Sequence, residues 1–189
     1  MSARNGRRRP LLVRAGSGRS GRGGSRGLAR RLVGLEVPVL ELRFAVEGWV
    51  SLAALASCHS LVVFFYPGVQ SRTGAGEEVD EDTVRAWAWR ERDVELGELG
   101  FMVVGVSTQS PVVQTRFAWR ELLGYMLLSD GELELAGVLG LPTRTVAGQR
   151  VYQPLTLVVT DGRVARVFYP VDPACEAAKV TGWIRRVHA

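Results

Sequence analysis

The stretch of sequence that decides the fold runs from Phe64 to Glu91 and reads FFYPGVQSRTGAGEEVDEDTVRAWAWRE. It starts inside the continuous apolar run LVVFFY (61–66), which is typical of a central strand buried on both faces. A Tyr-Pro-Gly sequence at 66–68 ends this strand, and a polar loop follows. Acidic residues then open a tryptophan-containing helix, which is predicted over residues 82–99 and ended by Gly100.

Strand and helix patterns alternate along the rest of the chain. Strands are predicted over residues 37–42, 48–50, 101–106, 125–128, 155–160 and 163–169. Helices are predicted over 51–56, from Ser110-Pro111 onward, over 132–139 and over 174–187, with an irregular hairpin over 144–152. Strands joined by helices are parallel, whereas Asp161-Gly162 is the strongest short signal for an antiparallel hairpin. The order predicts a one-domain α/β fold with a mixed central sheet flanked by helices, which is the thioredoxin-like arrangement.

Charge is distributed unevenly along the chain. The net charge is +5, but residues 1–31 contain ten arginines and no acidic residue, so the remainder carries a net charge of about −5. Residues 1–33 are rich in arginine, glycine and serine and poor in bulky apolar residues. We therefore expect a disordered tail over 1–33 and a folded domain over 34–189.

Four interpretations of the basic tail remain open. It is a solvated leader without function, a segment added by a start codon assigned too far upstream, an electrostatic arm for nucleic acid or another anionic surface, or a transit peptide. A secretory signal is not expected, because Leu11–Val13 is too short to form its apolar region.

Composition and motifs exclude several classes of function. The cysteines Cys58 and Cys175 and the histidines His59 and His188 are too few for the usual zinc patterns. The sequence has no Walker loop, no dinucleotide-binding glycine fingerprint and no nucleophile elbow. No apolar run reaches the ~18–20 residues that a membrane span needs. We therefore expect no cofactor, no metal and no membrane partner, and a cytoplasmic protein with free thiols.

Five pieces of sequence carry a resemblance to a known family. They are VSLAAL, LVVFFYPG, ELGFMVVGVSTQS, LLSDGELELAGVLGLPT and LTLVVTDGRVARVFYPV, spread over the chain from Gly34 onward. In this order and spacing they resemble the peroxiredoxins of the alkyl hydroperoxide reductase/thiol-specific antioxidant group. The most similar members are the bacterial Q-type, bacterioferritin-comigratory-like redoxins. The resemblance implies a thioredoxin-like fold and an antioxidant oxidoreductase that reduces peroxides with a peroxidatic cysteine.

The resemblance also implies where the reactive groups should lie. The family reaction needs a thiolate, because a neutral thiol is a poor nucleophile. Family members supply the pattern P-x-x-x-T-x-x-C and an arginine at the start of a later strand. Counting back from Leu99-Gly100 places Asp82 at the peroxidatic cysteine, Val79 at the threonine, Ala75 at the proline and Trp87 at the resolving cysteine. The arginine position falls on Pro154.

These substitutions predict that the fold is kept and the peroxidase reaction is lost. A carboxylate at Asp82 has no route to reduce a peroxide by two electrons, and no cysteine occurs from Glu77 to Trp89. Pro154 also lacks the positive charge that would stabilise the peroxide oxygens. The acidic run 80–82 is expected to stabilise the start of the helix. The alternative, a metal-binding carboxylate cluster, lacks a nearby histidine or further acid.

Cys175 is the fallback candidate for a reactive thiol. It follows Asp172-Pro173 on the first turn of the last helix, where the positive end of the helix favours anions. The strand before it is expected to run parallel to the central strand and to end at the same edge of the sheet. Cys58 is predicted to be a small buried residue at the entry of the central strand. A Cys58–Cys175 disulfide is therefore not expected.

The tryptophans on helices are predicted to be core anchors: Trp87, Trp89, Trp119 and Trp183. Trp87 and Trp89 cannot both face inward on one helix, so Trp87 is also a candidate contact surface. His59 and His188 are expected to be solvated.

Three hypotheses for function follow. The first is a peroxiredoxin-like pseudoenzyme that acts by binding an unknown protein partner, for which a homodimer is one option. The second is a thiol-dependent peroxidase or weak thiol oxidoreductase that uses Cys175, with thioredoxin as a partner only in that case. The third is a nucleic-acid contact made by the arginine-rich tail.

Overall fold

The computed structural model describes residues 22–69 and 79–188. The predictions for residues 1–21 and for Ala75 lie outside the described residues. The helices of the described part are α1 (Arg22–Leu32), α2 (Leu52–Cys58), α3 (Glu81–Glu98), α4 (Pro111–Arg120), α5 (Glu134–Leu139) and α6 (Glu176–His188). Its strands are β1 (Glu41–Phe44), β2 (Gly48–Ser51), β3 (Ser60–Phe65), β4 (Phe101–Ser107), β5 (Met126–Ser129), β6 (Thr143–Val146), β7 (Gln149–Tyr152), β8 (Leu155–Thr160) and β9 (Arg163–Phe168).

Seven of these strands form one mixed sheet in the order β2-β1-β5-β4-β3-β8-β9. The strands β3, β4 and β5 are parallel, β8 is antiparallel to β3, and β9 is antiparallel to β8. β6 and β7 form a separate hairpin. The thioredoxin-like α/β fold is confirmed. We call the edge at which β3, β4, β5 and β9 end the carboxyl edge of the sheet.

The apolar run at the centre of the sheet separates two cores. Leu61, Val63 and Phe65 pack into one cluster with α1, α2 and α5, whereas Val62 and Phe64 pack into the other with α3, α4 and α6. Because side chains alternate across a strand, one continuous apolar segment supplies both layers. β3 has a hydrogen-bonded neighbour on each side, which explains why the run has no polar interruption.

The boundary between tail and domain lies earlier than predicted. Residues 22–32, expected in the disordered tail, form α1. Leu28 and Leu32 of this helix are buried in the core, and Arg31 donates hydrogen bonds of 2.7 Å to the carbonyl oxygens of Leu139 and Gly140. The four-residue spacing of the two leucines was the available signal, but the surrounding arginines and glycines obscured it.

The other elements lie close to their predicted positions. Ser51 caps α2, since its hydroxyl accepts from the amide of Ala54. The hairpin between β8 and β9 turns at Asp161 and Gly162, which have φ angles of 52° and 71°. The strand predicted over 37–42 is shorter and begins only at Glu41. No helix in the described ranges is long and apolar enough to cross a lipid bilayer.

The packing of α1 predicts a stability effect. Leu32→Ala should lower the free energy of unfolding by about 2–4 kcal/mol, because its fully buried side chain leaves a cavity in the core. The matched control is Val33→Ala, whose side chain is 47% exposed on the next residue and whose loss should cost less than about 0.5 kcal/mol. Chemical denaturation measures both. Equal effects for the two variants would show that α1 is not part of the folded unit.

Candidate functional site

The loop after β3 and the start of α3 meet at the carboxyl edge. Asp80 is the N-cap of α3: its carboxylate accepts from the backbone amide of Thr83 at 3.0 Å and from the Thr83 hydroxyl at 2.8 Å. Glu81 and Asp82 occupy the first turn. The acidic run therefore stabilises a helix start, and both oxygens of the Asp80 carboxylate are engaged by Thr83.

A cleft of about 680 Å³ opens beside this turn. It is bounded by four segments: the end of the β3 strand region, the start of α3, the loop after β4 and the β6–β7 hairpin. Its lining residues are Pro67, Gly68, Val69, Val79, Asp80, Glu81, Asp82, Thr108, Gln109, Arg144, Val146, Ala147, Gln149 and Val151. Apolar and polar groups are mixed along its walls, so the cleft suits a ligand that has both.

One wall of the cleft is held in place by a double hydrogen bond. The Gln109 side chain accepts from the amide of Val69 and donates to the Val69 carbonyl, both at 2.8 Å. The amide packs directly on Gly68, where an added Cβ would come within 2.7 Å of Gln109 Cδ. Gly68 also has a φ of 128°, which other residues rarely adopt. A glycine is therefore required at the point where the chain leaves the central strand.

Asp82 is half-buried in this cleft, and its surroundings disfavour its charge. Burial raises the pKa of its carboxyl to about 6; Asp80 and Glu81 act in the same direction, whereas Arg85 and Arg144 oppose it. A carboxyl with this pKa changes its protonation state near neutral pH.

A buried tyrosine hydroxyl lies close to Asp82. Tyr66 is 2% exposed, and its hydroxyl makes no hydrogen bond in the described part of the chain. Burial raises its pKa, and Ser107, Gln114 and Asp82 are its polar neighbours. Tyr66 is not among the described residues that line the cleft, so its hydroxyl belongs to the interior behind the acidic turn.

Arg85 is the principal residue that sequence reasoning missed. It is fully buried, and its Nη2 donates to the Glu176 carboxylate at 2.7 Å, with a second contact from Nε. The guanidinium also donates to the carbonyls of Phe65 at 2.5 Å and Leu155 at 3.3 Å. Thr156 completes the network by donating to Glu176. The Arg85 guanidinium thus lies at the backbone next to Pro154, the position that the family resemblance assigns to an arginine. Arg85, however, reaches this place from helix α3 and not from the strand.

A periodicity signal for Arg85 was present in the sequence. Arg85, Trp89 and Leu96 recur at helical spacing, and all three are fully buried on the inner side of α3. A charged residue on a buried stripe requires a partner of opposite charge. The partner, Glu176, lies 91 residues later in the sequence, and no local pattern links the two.

Cys175 lies on the same edge of the sheet but does not line the cleft that contains Asp82. The predicted parallel arrangement of β3 and β9 is confirmed. The half-buried thiol donates to Asp172 at 3.1 Å. Its contact with the neighbouring Lys179 amine raises the pKa of that amine, and the thiol hydrogen bond lowers the pKa of Asp172. A smaller hollow of about 240 Å³ adjoins this cluster.

The prediction for Cys58 is wrong in one respect. Its side chain is exposed at the end of α2 rather than buried, because the buried face of this helix is formed by Leu52 and Ala56. Its position at the entry of β3 is as predicted. Both thiols are free, as expected.

The tryptophans are divided between core and surface. Trp89 is fully buried, Trp183 packs against Phe168, and the half-buried Trp87 donates from its indole to Glu121 at 2.7 Å. Trp119, predicted to be a core anchor, is 78% exposed, because the buried face of α4 is formed by Gln114 and Phe117.

The two histidines, which are candidate metal ligands, lie at the surface. His59 and His188 are exposed, as predicted. In the described ranges no group of three or more histidine, cysteine, aspartate or glutamate residues is arranged to hold a metal ion.

The environment of Asp82 predicts a pH-dependent stability. Because its pKa is higher in the folded state than the usual 3.8, its ionisation destabilises the fold, and stability is lost as the pH rises from about 4 to about 6. Asp82→Asn should therefore increase the free energy of unfolding at pH 7.5 by about 1–2 kcal/mol and have little effect at pH 4. Thermal unfolding at the two pH values measures the difference.

The control for this experiment is Glu81→Gln, which removes an exposed carboxylate from the same turn. Its effect on the free energy of unfolding should stay small at both pH values. A destabilising Asp82→Asn at pH 7.5 would mean that the carboxylate gains more from the helix terminus than it loses by burial.

Comparison with known proteins agrees with this architecture. Residues 47–182, more than half of the chain, match the Redoxin family. Peroxiredoxin Bcp of Escherichia coli (strain K12) is 28% identical over 134 residues, which cover 66% of this chain and 78% of that protein. Peroxidoxin BcpB from Mycobacterium tuberculosis has a crystal structure that matches with a TM-score of 0.71 at 26% identity, covering 84% of this chain and 99% of that one. For Peroxiredoxin Q of Xanthomonas campestris the TM-score is 0.69 at 21% identity, with coverage of 83% and 99%. The chain therefore belongs to the redoxin family, and its fold is that of the Q-type, Bcp-like peroxiredoxins.

Proposed function

We propose that this chain is a redoxin-family protein without peroxidase activity, which acts by binding a ligand or partner at the cleft. The observation that carries this proposal is the carboxylate of Asp82 on the first turn of α3, at the position that the family register gives to the peroxidatic cysteine. Neither Cys58 nor Cys175 is among the described residues that line the cleft. A peroxide that entered it would meet no thiol there.

The chemistry of peroxide reduction supports the same conclusion. A thiolate attacks one peroxide oxygen, the O–O bond breaks, the sulfur becomes a sulfenic acid, and the departing alkoxide takes a proton. A carboxylate oxygen cannot be oxidised in this way. The departing oxygen also needs a positive partner. Pro154 has neither a charge nor an amide hydrogen, and Arg85 is already paired with Glu176.

Several features of the cleft support binding. Its volume of about 680 Å³ lies in the range of small-molecule sites, ~300–1,000 Å³. Asp82 and Arg144 supply opposite charges, Val79 and Val151 supply apolar wall, and the Gln109–Val69 hydrogen bonds hold the rim.

A second candidate function is favoured by one specific observation. The thiol of Cys175, which immediately precedes α6, contacts both an acid, Asp172, and an amine, Lys179. A cysteine next to a cation at a helix start is the usual setting of a reactive thiol. In this alternative the chain is a weak thiol oxidoreductase, and thioredoxin is its partner.

The cytoplasmic location and nucleic-acid binding by the tail stay predictions. Nucleic-acid binding is tested by comparing the salt dependence of binding by chains with and without residues 1–21.

Peroxide consumption by the native protein tests the proposal. With a thioredoxin or dithiol reductant, the rate should stay at the background of a protein-free solution, because the cleft provides no thiolate. If a residual rate is found, Cys175→Ser should abolish it and Cys58→Ser should leave it unchanged. Sustained turnover that disappears in Cys175→Ser would replace the first function with the second.

Restoring the thiol tests the electrostatics of the site. Asp82→Cys alone should react with hydrogen peroxide at the rate of an ordinary thiol, because burial and the neighbouring Asp80 and Glu81 disfavour an anion there. Adding Pro154→Arg should increase the rate of the reaction with hydrogen peroxide about 10²–10³-fold, which is the usual effect of one group that stabilises the developing charge. Stopped-flow measurement of sulfenic acid formation gives both rates. A single variant as fast as the double one would mean that Arg85 or Arg144 already supplies the charge.

A further inference from the structure

Two nucleophilic side chains lie one helical turn apart at the start of α6, outside the cleft that contains Asp82. Cys175 is half-buried and immediately precedes the helix, and Lys179 is exposed in its first turn. The backbone amide of Lys179 donates to the carbonyl of Cys175 at 3.0 Å, so the helical hydrogen-bond pattern already includes both residues. Side chains four residues apart lie on the same face of a helix. A thiol and an amine therefore share one accessible face.

The two side chains contact each other, and a carboxylate orients the sulfur. The thiol of Cys175 donates to Asp172 at 3.1 Å, and the same carboxylate accepts from the backbone amide of Ala174 at 3.1 Å, which holds it in place. The hydrogen bond to Cys175 raises the pKa of the Lys179 amine, and the charge of the thiol group acts in the same direction. The amine thus lies within reach of any group that the sulfur carries.

The hollow of about 240 Å³ beside this pair offers space for a small substituent. Both partners of the thiol, Asp172 and Lys179, line it, and Phe168 and Val171 supply apolar wall. Glu176 also lines the hollow, but its carboxylate is engaged in the buried ion pair. The volume is below the ~300–1,000 Å³ of sites that hold whole small molecules. A short uncharged acyl group suits this space better than a larger ligand does.

We propose that Cys175 takes a short acyl group from a thioester and passes it to Lys179, which makes Lys179 a site of acyl-lysine formation. In the first step the Cys175 sulfur attacks the thioester carbonyl carbon, a new C–S bond forms, and the donor leaves as a free thiol that carries the proton from Cys175. In the second step the neutral Lys179 amine attacks the same carbon, a C–N bond forms and the C–S bond breaks. The proton released by the amine returns to the sulfur, so the Cys175 thiol is regenerated and no electron is transferred.

Two physical effects favour the second step. Holding the amine next to the acylated sulfur replaces a bimolecular reaction by an intramolecular one, which gives well-oriented groups a very high effective concentration. The contact that favours the protonated amine is with the thiol itself. Acylation of Cys175 removes that contact, so the pKa of Lys179 falls back towards its usual value just when a neutral amine is needed. Acylation then removes the charge of the only lysine in the chain. None of these steps involves the cleft or a peroxide.

Mass spectrometry of the full reduced chain after incubation with acetyl-coenzyme A tests the proposal. Lys179 should gain an acetyl group that withstands hydroxylamine, a reagent that cleaves thioesters but not amides. Cys175→Ser should lower the rate of Lys179 acetylation about tenfold or more, because direct attack by the amine lacks the advantage of proximity. Lys179→Arg should leave an acetyl group on Cys175 that hydroxylamine removes.

The second cysteine is a matched control within the chain. Cys58 is also a free, exposed thiol, but it lies at the entry of β3, at the opposite edge of the sheet from the start of α6, and has no lysine beside it. It should gain only acetyl groups that hydroxylamine removes, and Cys58→Ser should leave the rate of Lys179 acetylation unchanged.

A second acyl donor separates transfer through the sulfur from a change in the amine. The acetyl ester of N-hydroxysuccinimide acetylates amines directly. With this ester Cys175→Ser should react at Lys179 at least as fast as the native chain, because the variant lacks the contact that favours the protonated amine. Equal rates for the two chains with acetyl-coenzyme A would overturn the proposal, as would a thioester on Cys175 that persists without transfer. A loss of the same size with the ester would overturn it too, since the substitution would then have changed the amine and not the transfer.

Discussion

The buried ion pair of Arg85 and Glu176 connects the elements that build the carboxyl edge. Arg85 belongs to the first turns of α3, Glu176 begins α6, and the guanidinium also binds the carbonyls at the end of β3 and the start of β8. Leaving one member of such a pair unpartnered in the interior costs about 3–5 kcal/mol. Asp82 lies one turn before Arg85, and Cys175 immediately precedes Glu176. The positions of both candidate groups therefore depend on the same interaction.

The ion pair also determines what the edge can do chemically. The Arg85 guanidinium, which is paired with Glu176 and engaged by two carbonyls, still attracts the Asp82 carboxylate, but this attraction is weaker than the cost of burying the charge. Asp82 is accordingly left in surroundings where burial outweighs attraction, and its pKa rises. The same surroundings would hinder a thiolate. The mixed apolar and polar walls of the cleft and the disfavoured charge of Asp82 are the features that support our proposal of ligand binding rather than peroxide reduction.

The features that sequence reasoning predicted are those with a local physical cause. The unbroken apolar run of β3 reports burial on both faces, Ser51 is a local cap, and Asp161-Gly162 adopts the positive φ angles of a tight hairpin. The features it missed depend on tertiary contacts. Arg85 is buried because Glu176 meets it from a distant part of the chain, and the burial of α1 becomes evident only when the sheet provides a surface for its leucines. The family register assigned Asp82 from flanking motifs, whereas the binding properties of the cleft arise from four separate segments.

Lys179 gives this chain an unusual experimental property. It is the only lysine in the sequence, it is exposed, and it lies one helical turn after Cys175. Apart from the chain's amino terminus, an amine-reactive dye therefore has a single site of attachment, next to the thiol and above the buried ion pair. A maleimide would also label the exposed Cys58, so Cys58→Ser is needed to leave Cys175 as the single thiol, after which two orthogonal labels can be placed at the start of α6. Their mutual quenching would report the unwinding of the start of α6, because the two labels separate when that turn opens.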